Sequence, residues 1–210
     1  MFLLPDRNCP ICPRLAAFRE QLRAEYPDKF NAPVPSFGPE DAGLLIVGLA
    51  PGMRGANFSG RPFTGDYAGD LLYGTLLKFG YARGEYKADP NDGLELVGAR
   101  ITNAVRCLPP ENKPTGAEIN NCRPFLISEI ENLKNLKVIL CLGLISHNSV
   151  LKTLGAKQSA HKFVHGAVHD IGGFKVVDSY HCSRYNTNTG RLTTAMFEDV
   201  FETIGEILKQ

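Results

Sequence analysis

Apolar positions along the chain fall into two kinds of run. Leu44-Leu45-Ile46-Val47-Gly48 is continuous, as are Ile101 to Val105 and Val138 to Leu142, and Phe174 to Val177 is a less pure example. Runs of this length and purity mark strands buried on both faces. Other stretches repeat at helical spacing. Leu15, Phe18, Leu22 and Tyr26 share one face of a segment that opens at Pro13 and closes before Pro27, which predicts a surface helix over 13–26. Further helical patterns cover 66–80, 116–134, 144–154 and 192–208. The segment NAPVPSFGPEDAG, with three prolines and two glycines, reads as an extended connection rather than a linker between domains.

Strands alternating with helices predict a single α/β domain over 1–210, built on a parallel sheet with helices on both faces. In such sheets ligands bind beyond the carboxyl ends of the strands. Three segments lie there: Gly48 to Gly52 after the first strand, Asn103 to Cys107 after the second, and Ser179 to His181 after the last.

Composition narrows the setting. With 210 residues, 43% of them hydrophobic, the chain can bury one substantial core. The 23 Lys and Arg balance 22 Asp and Glu to a net charge of +1, so no overall excess announces a nucleic-acid partner, although a local basic stripe is compatible with one. Met1 to Asp6 lacks the length and basic flank of a signal peptide, and no run approaches the ~18 apolar residues of a membrane span. The expectation is a soluble chain in a reducing compartment, where six cysteines point to metal or catalysis rather than disulfides.

Cys9 and Cys12 form a Cys-x-x-Cys turn bracketed by Pro10 and Pro13, and Cys107 and Cys122 form a second pair across a polar loop. Four thiolates suit zinc or a 4Fe–4S cluster, and spacing alone leaves both open. Cys141, inside VILCLG, reads as core. Residues 48–70 hold six glycines and two prolines between a strand and a helix, a loop whose amides can approach a ligand. It has neither the Gly-Lys-Ser/Thr ending nor the G-x-G-x-x-G opening of nucleotide loops. Within it Phe63 either packs on the core or stacks on something flat. Asp66 is either a helix N-cap or a general base. Asn103, at the end of its strand, can read the hydrogen-bonding edge of a base or cap a turn. His181 heads a loop that interleaves Arg184, Tyr185, Asn186 and Arg191 with small polar residues, chemistry suited to a nucleic-acid groove.

GLAPGMRGANFSGRPFTGD, TNAVRC and HCSRYNTNTGRLT, with the four cysteines, resemble the iron–sulfur uracil-DNA glycosylases, specifically the type called UDGb or family five. The match runs from Cys9 to about Thr193. The resemblance implies a three-layer α/β/α fold around a four-stranded parallel sheet, and a structural 4Fe–4S cluster on Cys9, Cys12, Cys107 and Cys122. It places uracil against Phe63, with its edge on Asn103, its O2 side on His181, the backbone of Gly48 to Gly52 around it and Asp66 beside the sugar. Arg184, Tyr185, Asn186 and Arg191 would meet DNA, with Asn186 near the lesion. Catalysis would rest on Asp66, His181 and Asn103.

Leu49 replaces the glutamate of family four, which favours family five and implies breadth toward hypoxanthine and xanthine. Two positions depart from the family: Arg54 stands where a histidine is usual, and Cys182 where a proline is. The implied reaction is base flipping and hydrolysis by water without a Schiff base, by a monomer acting on DNA that holds uracil or other deaminated bases, at the nucleoid of a prokaryotic cytoplasm. The alternative is a non-catalytic iron–sulfur module for nucleic-acid binding or redox work.

Overall fold

The computed structural model describes residues 1–209. Its main sheet contains β1 (Leu44–Gly48), β4 (Ala99–Asn103), β5 (Val138–Leu142), β6 (Val168–Ile171) and β7 (Phe174–Ser179), in the order β4-β1-β5-β7-β6. The first four in that order run parallel, and β6 pairs antiparallel with β7 at the edge. Short strands β2 (Ala82–Arg83) and β3 (Glu95–Leu96) form a separate hairpin. The helices are α1 (Pro13–Glu25), α2 (Ala56–Ser59), α3 (Tyr67–Lys78), α4 (Gly116–Asn132), α5 (Leu144–Thr153), α6 (Arg184–Asn188) and α7 (Thr194–Lys209). No helix among the described residues is long and apolar enough to cross a membrane.

The predicted three layers follow from alternation along fully buried strands. Leu44, Ile46, Leu140, Leu142 and Val177 face one way and pack with Leu72 and Leu76 of α3 and Phe197 and Phe201 of α7. Leu45, Val47, Ile139, Cys141 and Val176 face the other way and pack with Leu126 and Ile130 of α4 and Val150 and Leu151 of α5. Because both faces of each strand are covered, apolar residues are needed at every position, which produces the continuous runs seen in the sequence.

The four-stranded expectation needs correction: the sheet has five strands. Val168 to Ile171 is mostly exposed or half-buried, so it makes no apolar run. Its signal was the pair Gly172-Gly173, with φ of 61° and 87°, the conformation of a tight two-residue hairpin turn. The second strand is also shifted. It begins at Ala99 and ends at Asn103, and the N–H groups of Ala104 and Val105 turn back to the carbonyls of Gly48 and Leu49 at 2.9 Å each. The connection before β1 does more than connect. Phe37 exchanges two backbone hydrogen bonds with Ile101, at 2.9 and 2.8 Å, along the outer edge of β4.

Buried charge ties these layers together. Glu129 of α4 accepts from Arg106 at 2.9 Å, from Ser36 at 2.8 Å and from Arg100 of β4. Burial alone would raise the Glu129 carboxyl, but Arg106 and Arg100 outweigh it and hold it below its usual range.

Candidate active site

The carboxyl ends of β1, β4 and β7 open into one cavity of about 550 Å³, walled by residues 49–56 together with Phe63, Asp66, Tyr67, Ala68, Asn103, Asn112, His181, Ser183 and Arg184. Phe63, Asp66, Asn103, His181, Gly52 and Arg184 of the sequence-predicted set therefore meet in one place. Tyr185, Asn186, Arg191 and Gly48 are not part of this wall.

Gly48 has a different use. A Cβ there would stand 2.3 Å from Asn103 Oδ1 and 2.8 Å from Phe63 Cζ, so its lack of a side chain lets the ring and the amide close over the end of β1. The Phe63 and His181 rings follow at 5.8 Å between centroids, tilted by 31°. Phe63 takes a φ of 53°, a left-handed conformation that a bulky residue adopts only when its surroundings enforce it. The enforcement is visible. Tyr73 donates to the Pro62 carbonyl at 2.6 Å, and Tyr86 to the Phe63 carbonyl at 3.1 Å. The Arg61 guanidinium forks onto Asp92 at 2.7 and 2.8 Å beneath the loop. Phe63 thus packs on the core, as one of its two readings had it, and also walls the cavity.

Asp66 is an N-cap and also a residue of the cavity wall. It caps α3, with Oδ1 accepting from the Gly69 N–H at 3.3 Å. Its Oδ2 lies over two glycines, where a Cβ on Gly55 would approach to 2.2 Å and one on Gly52 to 3.0 Å. Burial pushes the Asp66 carboxyl above its ordinary range, which moves it toward the behaviour of a general base.

Asn103 Oδ1 is buried and has no hydrogen-bond partner among the described residues. Burial pushes the His181 imidazole down to about 4, so near neutral pH it is uncharged and carries one N–H donor. Asn186, in the short helix α6, donates from its side-chain amide to the His181 carbonyl at 2.8 Å and so braces the strand end from behind. Arg184 sits over the Tyr67 ring at 5.2 Å and Arg191 over Tyr180 at 4.7 Å, while Tyr185 is 72% exposed. Sequence reasoning missed Tyr67, Asn112 and Ser183 in the wall and the tyrosine pair beneath it. Asn112 offered no signal, since it lies in a loop read only as a spacer.

The four cysteines converge elsewhere. Cys9, Cys12, Cys107 and Cys122 line one small cavity with Leu15, Arg19, Arg106 and Phe125. Cys12 caps α1, Cys107 follows β4 and Cys122 lies in α4. Arg14 clamps α1 to α4 through Glu118 at 2.7 and 2.8 Å. Burial, with mutual repulsion, pushes the Cys107 thiol up to about 12 and Cys122 to about 11. Thiols so placed ionise only beside positive charge. The buried Nε of Arg19, 3.5 Å from Glu20, makes no hydrogen bond among the described residues, and Arg106 completes a cationic side to the cavity. Four soft donors with adjacent cations fit an anionic metal–sulfur group. Cys141 and Cys182 are buried in the core.

Comparison with known proteins agrees with this architecture. Residues 35–205 match the model of the uracil DNA glycosylase superfamily. A type-5 uracil-DNA glycosylase of Thermus thermophilus is 44% identical over 91% of this chain and 90% of its own. One of Pyrobaculum aerophilum is 39% identical over 97% and 87%. A type-4 uracil-DNA glycosylase of the same archaeon is 36% identical over 72% of this chain and 63% of its own. A family match over most of the chain, with relatives more alike among type 5 than type 4, means that this chain belongs to the uracil-DNA glycosylase superfamily as a type-5 member.

Proposed function

We propose that this protein is a monofunctional uracil-DNA glycosylase of DNA repair, which takes a flipped uracil nucleotide, hydrolyses its N-glycosidic bond and leaves an abasic site. The observation that carries the reading is Asn103, a buried amide whose Oδ1 has no hydrogen-bond partner among the described residues, on the wall of a cavity that also presents an aromatic ring, a neutral imidazole and a buried carboxylate. Leaving such an acceptor unsatisfied costs about 1–3 kcal/mol, which a ligand donor recovers. The N3–H of uracil, flanked by two carbonyls, is such a donor, and the amide of Asn103 complements that edge.

Phe63 supplies a flat surface for the ring. As the C1′–N1 bond breaks, its electron pair leaves with the base, and the N–H of neutral His181 stabilises the charge gathering on O2. Asp66 orients a water molecule, offsets the positive charge developing on the sugar and accepts the proton when the water oxygen bonds to C1′. The cavity wall contains no lysine among the described residues, so hydrolysis rather than Schiff-base formation is the supported route. Arg54 and Arg184 at the wall provide cations for the phosphates that flank the flipped nucleotide. The size of the cavity and the apolar Leu49 support acceptance of hypoxanthine and xanthine as well.

Cys9, Cys12, Cys107 and Cys122 would hold a 4Fe–4S cluster, whose contribution is to cross-link α1, the turn after β4 and α4. Arg19 and Arg106 would offset its negative charge. Purified protein is expected to be brown and to contain iron and acid-labile sulfide in equal amounts, both lost in Cys122→Ala; stoichiometric zinc in their place would overturn the cluster.

The test of the function is release of free uracil and formation of alkali-labile sites in a uracil-containing duplex, with parallel duplexes containing hypoxanthine and xanthine. Excision by the parent protein that is lost in Asn103→Ala supports the reading. A parent protein that releases no uracil overturns it.

A further inference from the structure

Four of the five histidines in the chain lie outside the cavity, at positions 147, 161, 165 and 169, and they gather behind β7. Asp178, fully buried, accepts from His147 Nδ1 at 2.7 Å, from His169 Nε2 at 3.1 Å and from the Val164 N–H at 3.4 Å. His147 Nε2 meets the His161 carbonyl at 2.9 Å. With oxygen acceptors at both ring nitrogens, His147 is a doubly protonated imidazolium paired with a carboxylate. These contacts bind the stretch 161–169 firmly to the strand that ends in the active site.

His165 extends from that anchored stretch. The antiparallel ladder of β6 and β7 continues as Asp178 N–H to the Ala167 carbonyl and Gly166 N–H to the Asp178 carbonyl, and then runs out. The next backbone donor on that side of β7 is the N–H of Tyr180. It is taken by a side chain, donating to His165 Nδ1 at 3.1 Å. The other nitrogen of the same ring, Nε2, donates to the carbonyl of Met196 in the first turn of α7 at 3.3 Å. One nitrogen accepts and the other donates, so the ring is neutral with its proton on Nε2. The imidazole also stacks on Tyr180 at 4.9 Å and 11°, and Arg191 reaches the same Tyr180 ring.

Tyr180 and Met196 are the two ends of the segment 181–195, which carries His181, Arg184, Tyr185, Asn186 and Arg191. Resting on the glycosylase reading above, we propose that His165 is a positioning residue for base excision, a neutral imidazole that holds both ends of this loop and thereby sets where His181 stands in the cavity. The loop is also drawn together internally, by Asn186 to the His181 carbonyl and by the Leu192 N–H to the Asn186 carbonyl at 3.0 Å. Those bonds shape the loop, and Cys182 and Leu192 pack it into the core; His165 adds the hydrogen bonds that tie its two flanks to the anchored stretch 161–169.

The experiment uses the full chain and three variants. His165→Phe keeps the stack on Tyr180 and deletes both hydrogen bonds. His165→Gln restores one acceptor and one donor on a single side chain. His165→Leu removes ring and bonds together. Hydrogen exchange is measured peptide by peptide, alongside single-turnover uracil release and KM on a uracil-containing duplex. In His165→Phe, exchange within 181–195 is expected to rise about tenfold, the equivalent of one to two lost hydrogen bonds, while 138–142 and 174–179 stay protected. Single-turnover release falls by about the same factor with KM less affected, because His181 is displaced after binding. His165→Gln recovers most of both, and His165→Leu is at least as impaired as His165→Phe. Unchanged exchange in 181–195, or exchange that rises equally across the sheet, overturns the proposal. If the parent protein releases no uracil, the exchange result still decides loop closure, so failure of the glycosylase reading is separable from failure of this one.

Discussion

Asp66 works with two oxygens in two directions, one spent on the first turn of α3 and the other laid over Gly52 and Gly55. Replacement by Asn keeps a capping oxygen and removes the base, so excision is expected to fall at least about 100-fold while affinity for uracil-containing DNA is kept. Gly55→Ala would approach the same result from the other side, since its Cβ would displace the carboxylate. Full activity in Gly55→Ala would mean that the Asp66 oxygen over the glycines has no part in catalysis. Because Asp66 titrates above its ordinary range and must be ionised to act, excision should decline on the acid side at a pH above 3.8.

His181 gives a stability prediction with a definite sign. Its folded value of about 4 lies below the ordinary 6.5, so the unfolded chain binds the proton first as pH falls. The contribution is complete above about 6.5 and lost on descent toward 4, to a total on the order of 3 kcal/mol. Urea unfolding at pH 7 and pH 4 should show parent protein losing that much more than His181→Asn. Parallel losses would show the imidazole to be solvated.

At the scale of elements, the strands buried on both faces were legible because burial leaves no choice of residue, and the three strand ends located the cavity by topology alone. β6 was not legible from its own residues, half of which face solvent; only the Gly172-Gly173 turn announced it. Phe63 and Asp66 each permitted two readings in sequence because local pattern does not record what lies across a cavity; the structure shows the packing of one and the cap of the other, and sets both on the cavity wall. Asn186 was expected near the lesion; its side chain also secures the His181 carbonyl, which the sequence did not announce. No periodicity marks such a bond. His165 was silent for the same reason, since its two partners lie 15 and 31 residues away.

Across the whole molecule, Glu129 joins α4, β4 and the segment before β1 by balancing two buried arginines. Glu129→Gln would leave Arg100 and Arg106 buried without a counter-charge, at an expected cost of about 3–5 kcal/mol in chemical denaturation. A cost below 1 kcal/mol would mean that water reaches the pair. The same network touches the cysteine cavity through Arg106, so that variant is also expected to weaken retention of the proposed cluster.

The Phe37–Ile101 bridge has a consequence for behaviour in concentrated solution. An outer strand with free amides is a template for another chain; here β6 forms one edge of the sheet, and the other edge, β4, is covered by the extended segment around Phe37. That cover depends on Gly38, whose φ is 116° and whose Cβ would strike the Ala99 carbonyl at 2.4 Å. Gly38→Ala should therefore uncover β4 before the molecule unfolds. Light scattering on slow heating is expected to rise several degrees below the unfolding midpoint in the variant, whereas in the parent the two coincide. Coincidence in both would show that self-association starts elsewhere, and that the proline-rich connection is not what keeps this sheet from growing into its neighbours.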